Sequence, residues 1–458
     1  MQSQPRFDAY QGPAHLQQQG AVKALYQALM QPQPRLSSDT LLQARDFLDE
    51  QLQHSSSLEC ELPEDPQNLM NWVRDGSVRT TDAYAQYLAD RRQGEPRRYF
   101  HNRAHALYFL RHVAPTKMVD GAWLYGVLQQ WQQPALRPLV RTYLEELGDG
   151  VPAQNHVVLY QLLLSSNDCD ELGDIEDRFY HQGTLQLALG QLAADYLPEV
   201  LGYNLGYEQL PLHLLITCYE LAELGIDPYY FQLHVTIDNS GTGHAQKAVQ
   251  AVLANLPVVG DTQEFYRRVS RGYQLNDLGV SSTQVINEFN LDEQVVQMLE
   301  RKANVAGMVH SDYCRIEGRT VNQWLSEPGQ IPAFLAALQT RGWIRRDQAP
   351  ENSRFWHLVQ GTGAPMFGVF SGYEQQLLHD WIAGSQAPEP KRYRRHPQLA
   401  TDPSLQEADT AESAALAKEL NALPEPQKQA RLIELMAPAT HFTPAGLHAT
   451  RQFQAYLR

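Results

Sequence analysis

A mainly helical protein is what this sequence predicts, and three observations predict it. Apolar residues recur at helical spacing through most of the chain, from Ala21-Val-Lys-Ala-Leu-Tyr-Gln-Ala-Leu-Met30 onward. Glycine and proline punctuate these runs where helices would end, as in Gly225-Ile-Asp-Pro228. Strand-like pieces are short and few, namely Arg354–Val359 and Met366–Phe370. The stretch around which the rest is organised runs from Leu197 to His244, where carboxylates and imidazoles are embedded in apolar sequence. Such groups are costly to bury unless something pairs them, and one metal can pair several.

Composition narrows the function classes. The 458 residues suffice for two or three domains, or for one large core with appendages, and 43% apolar with 19% charged residues is an ordinary globular mixture. A formal net charge of −15 argues against a nucleic-acid binder, which needs a basic face. One basic run, Lys391-Arg-Tyr-Arg-Arg-His396, lies in proline-rich sequence and reads as a solvated linker or a docking patch. No apolar run is long enough to span a bilayer and the N-terminus is polar, so a cytoplasmic protein without a membrane segment is expected. Cys60, Cys169, Cys218 and Cys314 are scattered without CxxC spacing, which excludes a zinc knuckle and suits a reducing compartment.

Taken in order, the chain opens with helical pieces at 21–30 and 40–48, the second capped from Ser37-Ser-Asp39, and a further helical stretch runs to about Arg92. His101 and His105 stand four apart, on one helix face, where they either ligate a metal or pack at an aromatic-rich helix start. Asp120 opens the next helical piece, a position that suits an N-terminal cap. A helix over 134–146 ends at Gly148 and Gly150, and the next starts near His156. Glu146 and His156 thus flank a short loop, from which two consecutive helices of a bundle can aim both inward at one depth.

An acidic loop over 165–182 leads to a buried helix at 183–194, and Pro198 and Pro211 predict breaks. His234 and Asp238, four apart, share a helix face. The sequence Asn-Ser-Gly-Thr-Gly then interrupts the helix before His244, so a local bulge can turn His244 back toward the pair. Beyond residue 261 the helices Phe265–Tyr273, Ser282–Lys302, Thr320–Leu325 and Pro332–Ile344 precede the two strand-like pieces, an order similar to a winged helix. The acidic total opposes DNA reading there, and a lid, packing layer or dimer element is expected instead. Residues 384–410 read as a linker and 411–458 as a helical tail.

Four motifs in this order carry a resemblance: Asp120-Gly-Ala-Trp-Leu; Glu146-Leu-Gly-Asp-Gly with His156; Leu197-Pro-Glu-Val-Leu-Gly-Tyr; and Gly225-Ile-Asp-Pro-Tyr-Tyr-Phe-Gln-Leu-His-Val-Thr-Ile-Asp-Asn with His244. Over roughly residues 100–260 the chain resembles the iron-containing redox enzymes of the haem-oxygenase-like diiron oxidase and oxygenase superfamily. The resemblance implies an all-α, haem-oxygenase-like bundle that binds no haem. It also implies metal ligands at Glu146, His156, Glu199, His234, Asp238 and His244. Glu208 is an alternative middle carboxylate, and Asp120 lies where an earlier one would fall. Two Fe(II) ions with O2 as co-substrate are the implied cofactors.

The activity so implied is an O2-dependent non-haem diiron oxidase or oxygenase of specialised metabolism. Its substrate is small and amino-acid-derived, and its reaction is N-oxygenation, desaturation or oxidative C–C cleavage. An external electron donor and a homodimer are open partners. Residues 1–95 are expected as helices packed on the bundle, 96–260 as the diiron core, 261–383 as a winged-helix-like region and 384–458 as linker and tail. Two other readings compete: a non-catalytic binding or regulatory module on the same scaffold, and a hydrolase using Cys218 as nucleophile.

Overall fold

The apolar stripes along the chain are buried by helices packing face to face, and in this computed structural model 70% of the described residues are helical. Residues 20–31, 36–237, 243–306, 315–366, 368–386, 392–393 and 414–457 are described. No helix among them is long and apolar enough to cross a membrane.

The central layer consists of helices Arg103–Lys117, Arg137–Glu146, His156–Ser165, His181–Gln191, Leu197–Tyr207, Leu212–Glu223, Tyr229–Ile237 and His244–Asn255. Their interior is filled by large apolar side chains, among them Trp123, Tyr143, Tyr160, Tyr203, Leu124 and Leu110, all fully buried. Pro198 falls in the first turn of its helix and Pro211 caps the next, so both prolines mark helix starts and satisfy the predicted breaks. Gly225, at φ +70°, makes the turn between Leu212–Glu223 and Tyr229–Ile237.

Helix Thr262–Gln274 belongs to this layer. A Cβ added to Gly202 would lie 1.8 Å from the Val269 carbonyl oxygen, and one added to Gly272 would lie 2.1 Å from that of Glu199. The backbones of Leu197–Tyr207 and Thr262–Gln274 therefore touch, and only glycine permits the crossing.

The winged-helix expectation is corrected. Arg354–Val359 is helical, burying Phe355, Trp356 and Val359, and residues 366 and 368–370 form turns and a bend. A short apolar run does not distinguish a strand from a buried helical turn, and tertiary packing decided here. The described residues hold one two-stranded hairpin, elsewhere, pairing Arg315 with Thr320 and Ile316 with Arg319.

The C-terminal helices Glu425–Leu435 and Pro444–Phe453 return to the central layer. There Tyr143 donates to the Met436 carbonyl at 2.6 Å and Arg451 to that of Gly150 at 2.6 Å.

Candidate metal centre

Asp120 lies between helix Arg103–Lys117 and the 3-10 turn Ala122–Gln130. Gly121 follows it at φ +81°, and a Cβ there would meet Glu146 Cβ at 2.8 Å. The Asp-Gly pair thus brings the 120 turn directly against the end of helix Arg137–Glu146. Asp120 is not a helix cap. Its Oδ1 accepts from Tyr207 Oη at 2.9 Å, and its Oδ2 accepts from Tyr230 Oη at 2.6 Å and lies 3.0 Å from His234 Nε2 and 3.5 Å from His156 Nδ1.

After Glu146, Gly148, Asp149 and Gly150 all take positive φ. The reversal brings Asn155 round to cap helix His156–Ser165 by accepting from Val158 N at 3.0 Å. Glu146 Oε2 and His156 Nδ1 then stand 2.5 Å apart, as the flanking-loop reading predicted. On the other side of Glu146, Oε1 lies 3.3 Å from His244 Nδ1, which is 3.1 Å from Glu208 Oε2.

Two groups result. Asp120, Glu146, His156 and His234 form one, and Glu146, Glu208 and His244 the other; within each group the ligand atoms lie within 4.8 Å of one another, and every residue is buried. Glu199 belongs to neither. Both its oxygens are held by Arg268, at 2.6 Å each, on the face of Leu197–Tyr207 that meets Thr262–Gln274. Glu208 stands nine positions after Glu199, half a turn out of phase at 100° per residue, so the two, both buried, face different neighbours. Of the two, Glu208 is the one within reach of the other candidate ligands. Asp238 lies outside the described residues.

The donor set fits a metal. His156 Nδ1 and Nε2 and Glu146 Oε2 are buried without a hydrogen-bond partner among the described residues, although Nδ1 and Oε2 nearly touch. His234 Nδ1–H donates to the Tyr230 carbonyl at 2.9 Å, which leaves Nε2 facing the Asp120 carboxylate. Imidazole lone pairs and carboxylates converging in an apolar interior need a cation, and that combination suits iron.

Without metal, a proton on His156 supplies part of that positive charge. Burial raises the Glu146 carboxyl, but the His156 charge and contacts to His156 and His244 bring it down to about 2. Burial lowers the His156 imidazolium, yet Glu146 and then Asp120 hold it up at about 10. Burial raises Asp120 too, and the Lys117 charge with contacts to His156 and His234 keeps it well below the usual carboxylate range.

Several participants carried no usable signal in the sequence. Tyr207 and Tyr230 look like core aromatics, and Lys117, which donates to Tyr207 Oη at 2.9 Å, looks like a helix-end cation. Glu145 accepts from His244 Nε2 at 2.8 Å, and its proximity to Glu146 in sequence was the sole available hint. His441 is fully buried beside Asn155, its Nδ1 accepting from Asn155 Nδ2 at 3.1 Å across 286 positions of chain.

Other candidates fall outside the centre. His105 Nε2–H donates to the Ile286 carbonyl at 2.8 Å and its ring stacks on Phe289, while His101 is exposed. Burial pushes the Cys218 thiol up to about 12, the reverse of an activated nucleophile. A cavity of about 360 Å³ is lined on helix His156–Ser165 by Val158, Gln161, Leu162 and Ser165, the face opposite His156.

An all-α bundle enclosing carboxylate and imidazole groups able to hold metal is the class that fold and site define. Residues 107–277 match the family described as iron-containing redox enzymes, and every residue of the two groups lies within that span. Over this segment the chain is similar to that family, which supports an oxidoreductase of the iron-containing kind. Comparison with curated proteins gives no match, and comparison with solved structures gives none.

Proposed function

We propose that the protein is an O2-dependent non-haem diiron oxidase or oxygenase. The observation that carries this reading is the position of Glu146, whose two oxygens face different groups, Oε2 toward His156 and Oε1 toward His244. Asp120, Glu146, His156 and His234 would hold one metal ion, and Glu146, Glu208 and His244 a second. Bound iron supplies the redox chemistry, the activation of O2, which no side chain of the twenty can perform alone.

The chain's own residues orient and insulate that chemistry. The Tyr230 carbonyl fixes the His234 tautomer so that Nε2 points inward. The hydroxyls of Tyr207 and Tyr230 hold the two Asp120 oxygens, and Lys117 places a positive charge behind Tyr207. Trp123 and Tyr203, fully buried and packed edge to face beside Tyr207, exclude water on that side. A small, amino-acid-derived substrate, with N-oxygenation, desaturation or oxidative C–C cleavage as the reaction and an external electron donor, is supported by the family resemblance.

The test is anaerobic Fe(II) titration of the metal-free protein, followed by stopped-flow absorbance on mixing with O2. Saturation near two irons per chain and a transient visible band are expected, and His156→Ala should abolish both. Absence of iron uptake, or iron that does not respond to O2, overturns the proposal in favour of a binding module.

A further inference from the structure

His244 is gripped from two sides. Its Nδ1 faces Glu208 Oε2 and Glu146 Oε1, and its Nε2 faces Glu145 Oε2 at 2.8 Å. Glu145 and Glu146 are consecutive in the last turn of Arg137–Glu146, so their side chains diverge by about 100°. Glu146 enters the buried groups. Glu145 passes round the far edge of the imidazole and stays a quarter exposed, while His244 is buried.

The other partners of Glu145 are cations toward the surface. Arg141 Nε donates to Oε1 at 2.9 Å from one turn earlier, and Lys247 Nζ donates to Oε2 from the helix that His244 opens. These two cations fix the carboxylate in place and keep it an acceptor. A carboxylate can only accept from the imidazole, so Nε2 bears the proton, and a metal held between Nδ1 and the Glu208 and Glu146 carboxylates would take the Nδ1 lone pair. Carboxylates placed behind ligand imidazoles in this way orient the ring and raise its basicity.

We propose that Glu145 is a positioning residue for the subsite of Glu146, Glu208 and His244: by accepting the Nε2 proton of His244 it reserves Nδ1 for metal. The proposal rests on the diiron reading above. It assigns the two adjacent glutamates different tasks, Glu146 within the ligand set and Glu145 behind it.

The experiment titrates metal-free wild type, Glu145→Ala and Glu145→Gln with Co(II) under anaerobic conditions, reading the visible absorption at each addition. Thermal unfolding of the metal-free proteins is measured in parallel. Wild type should take up two equivalents. Glu145→Ala should keep the first unchanged, bind the second roughly 10–100-fold more weakly and show an altered second band. Glu145→Gln, whose amide oxygen can still accept from Nε2, should restore the band and bring the affinity within about tenfold of wild type.

Identical titrations of wild type and Glu145→Ala overturn the positioning role and leave the diiron reading standing. So does a Glu145→Ala protein that loses both equivalents together with its thermal transition. Glu145→Gln behaving like Glu145→Ala overturns the hydrogen-bond account. Wild type binding fewer than two equivalents overturns this proposal and the diiron reading together.

Discussion

Gly121 shows how narrowly the centre is drawn at the scale of single residues. Its φ of +81° is one that side-chain-bearing residues rarely adopt, and its missing Cβ is where Glu146 Cβ approaches to 2.8 Å. Gly121→Ala is expected to cost about 1–3 kcal/mol and to push Asp120 and Glu146 apart. Urea unfolding of the metal-free protein would measure the first effect, and metal stoichiometry the second. Glu199 and Glu208 make a sharper pair. Glu199→Ala removes a bidentate partner from Arg268 and should cost about 2 kcal/mol while leaving metal stoichiometry intact. Glu208→Ala should lose one equivalent of metal. The reverse pattern in a side-by-side titration would restore Glu199 as the ligand.

These residues also show what was legible. Glu146 and His156 could be read because the glycines between them announce a short reversal, and a short reversal constrains where both side chains point. The sequence put Glu199 ahead of Glu208, although choosing between opposite faces of one helix requires knowing which face is covered. That was decided by helix Thr262–Gln274, through glycines whose meaning lies in a contact some 70 residues away. Asp120 read as a cap because its partners, Tyr207 and Tyr230, are 87 and 110 positions distant. Local sequence carries periodicity and turns. It does not carry long-range partners.

At the scale of elements, the bundle is tied together by buried carboxylates as well as by apolar packing. Glu220, fully buried in helix Leu212–Glu223, accepts from Tyr87 Oη at 2.8 Å and from the backbone N–H groups of Arg98, Tyr99 and Phe100 at 2.5, 3.0 and 2.9 Å. One side chain thus joins three segments: helix Leu69–Arg92, the non-helical stretch before Arg103–Lys117, and its own helix. Glu220→Ala strands these donors in the interior, and a loss of about 3–5 kcal/mol is expected from the midpoint of urea unfolding. A loss below about 1 kcal/mol would show that water reaches this junction. The overall helical class was legible at this scale. The strand-like reading of 354–359 failed because a six-residue run with four apolar side chains fits a helical turn as well as a strand.

For the whole molecule, buried neutral histidines set the response to acid. His105 donates from Nε2 to Ile286 and accepts at Nδ1 from His101 N at 3.4 Å, so an added proton would set two N–H groups against each other. Burial lowers its pKa from 6.5 to about 4, and does the same for His112 and His181. Unfolded chains take up these protons near pH 6.5 and the folded protein does not. The stabilisation is therefore fully present above pH 6.5 and is lost as pH falls toward 4. The melting temperature of the metal-free protein should decline across that window, and His105→Gln should flatten the decline. An unchanged slope in that variant would remove His105 from the account.

The glycine-mediated crossing of Leu197–Tyr207 with Thr262–Gln274 has a consequence for motion. Two helices whose backbones touch cannot slide or separate by small steps, since any shift must first break the contacts at Gly202 and Gly272 together. They should open as one cooperative unit. Amide hydrogens near Val200 and Val269 are then expected to exchange with a common free energy of opening, although nearly seventy residues lie between them. A substitution at either glycine should loosen both helices at once, and the end of the first helix, where Glu208 sits, would lose its rigid backing with them.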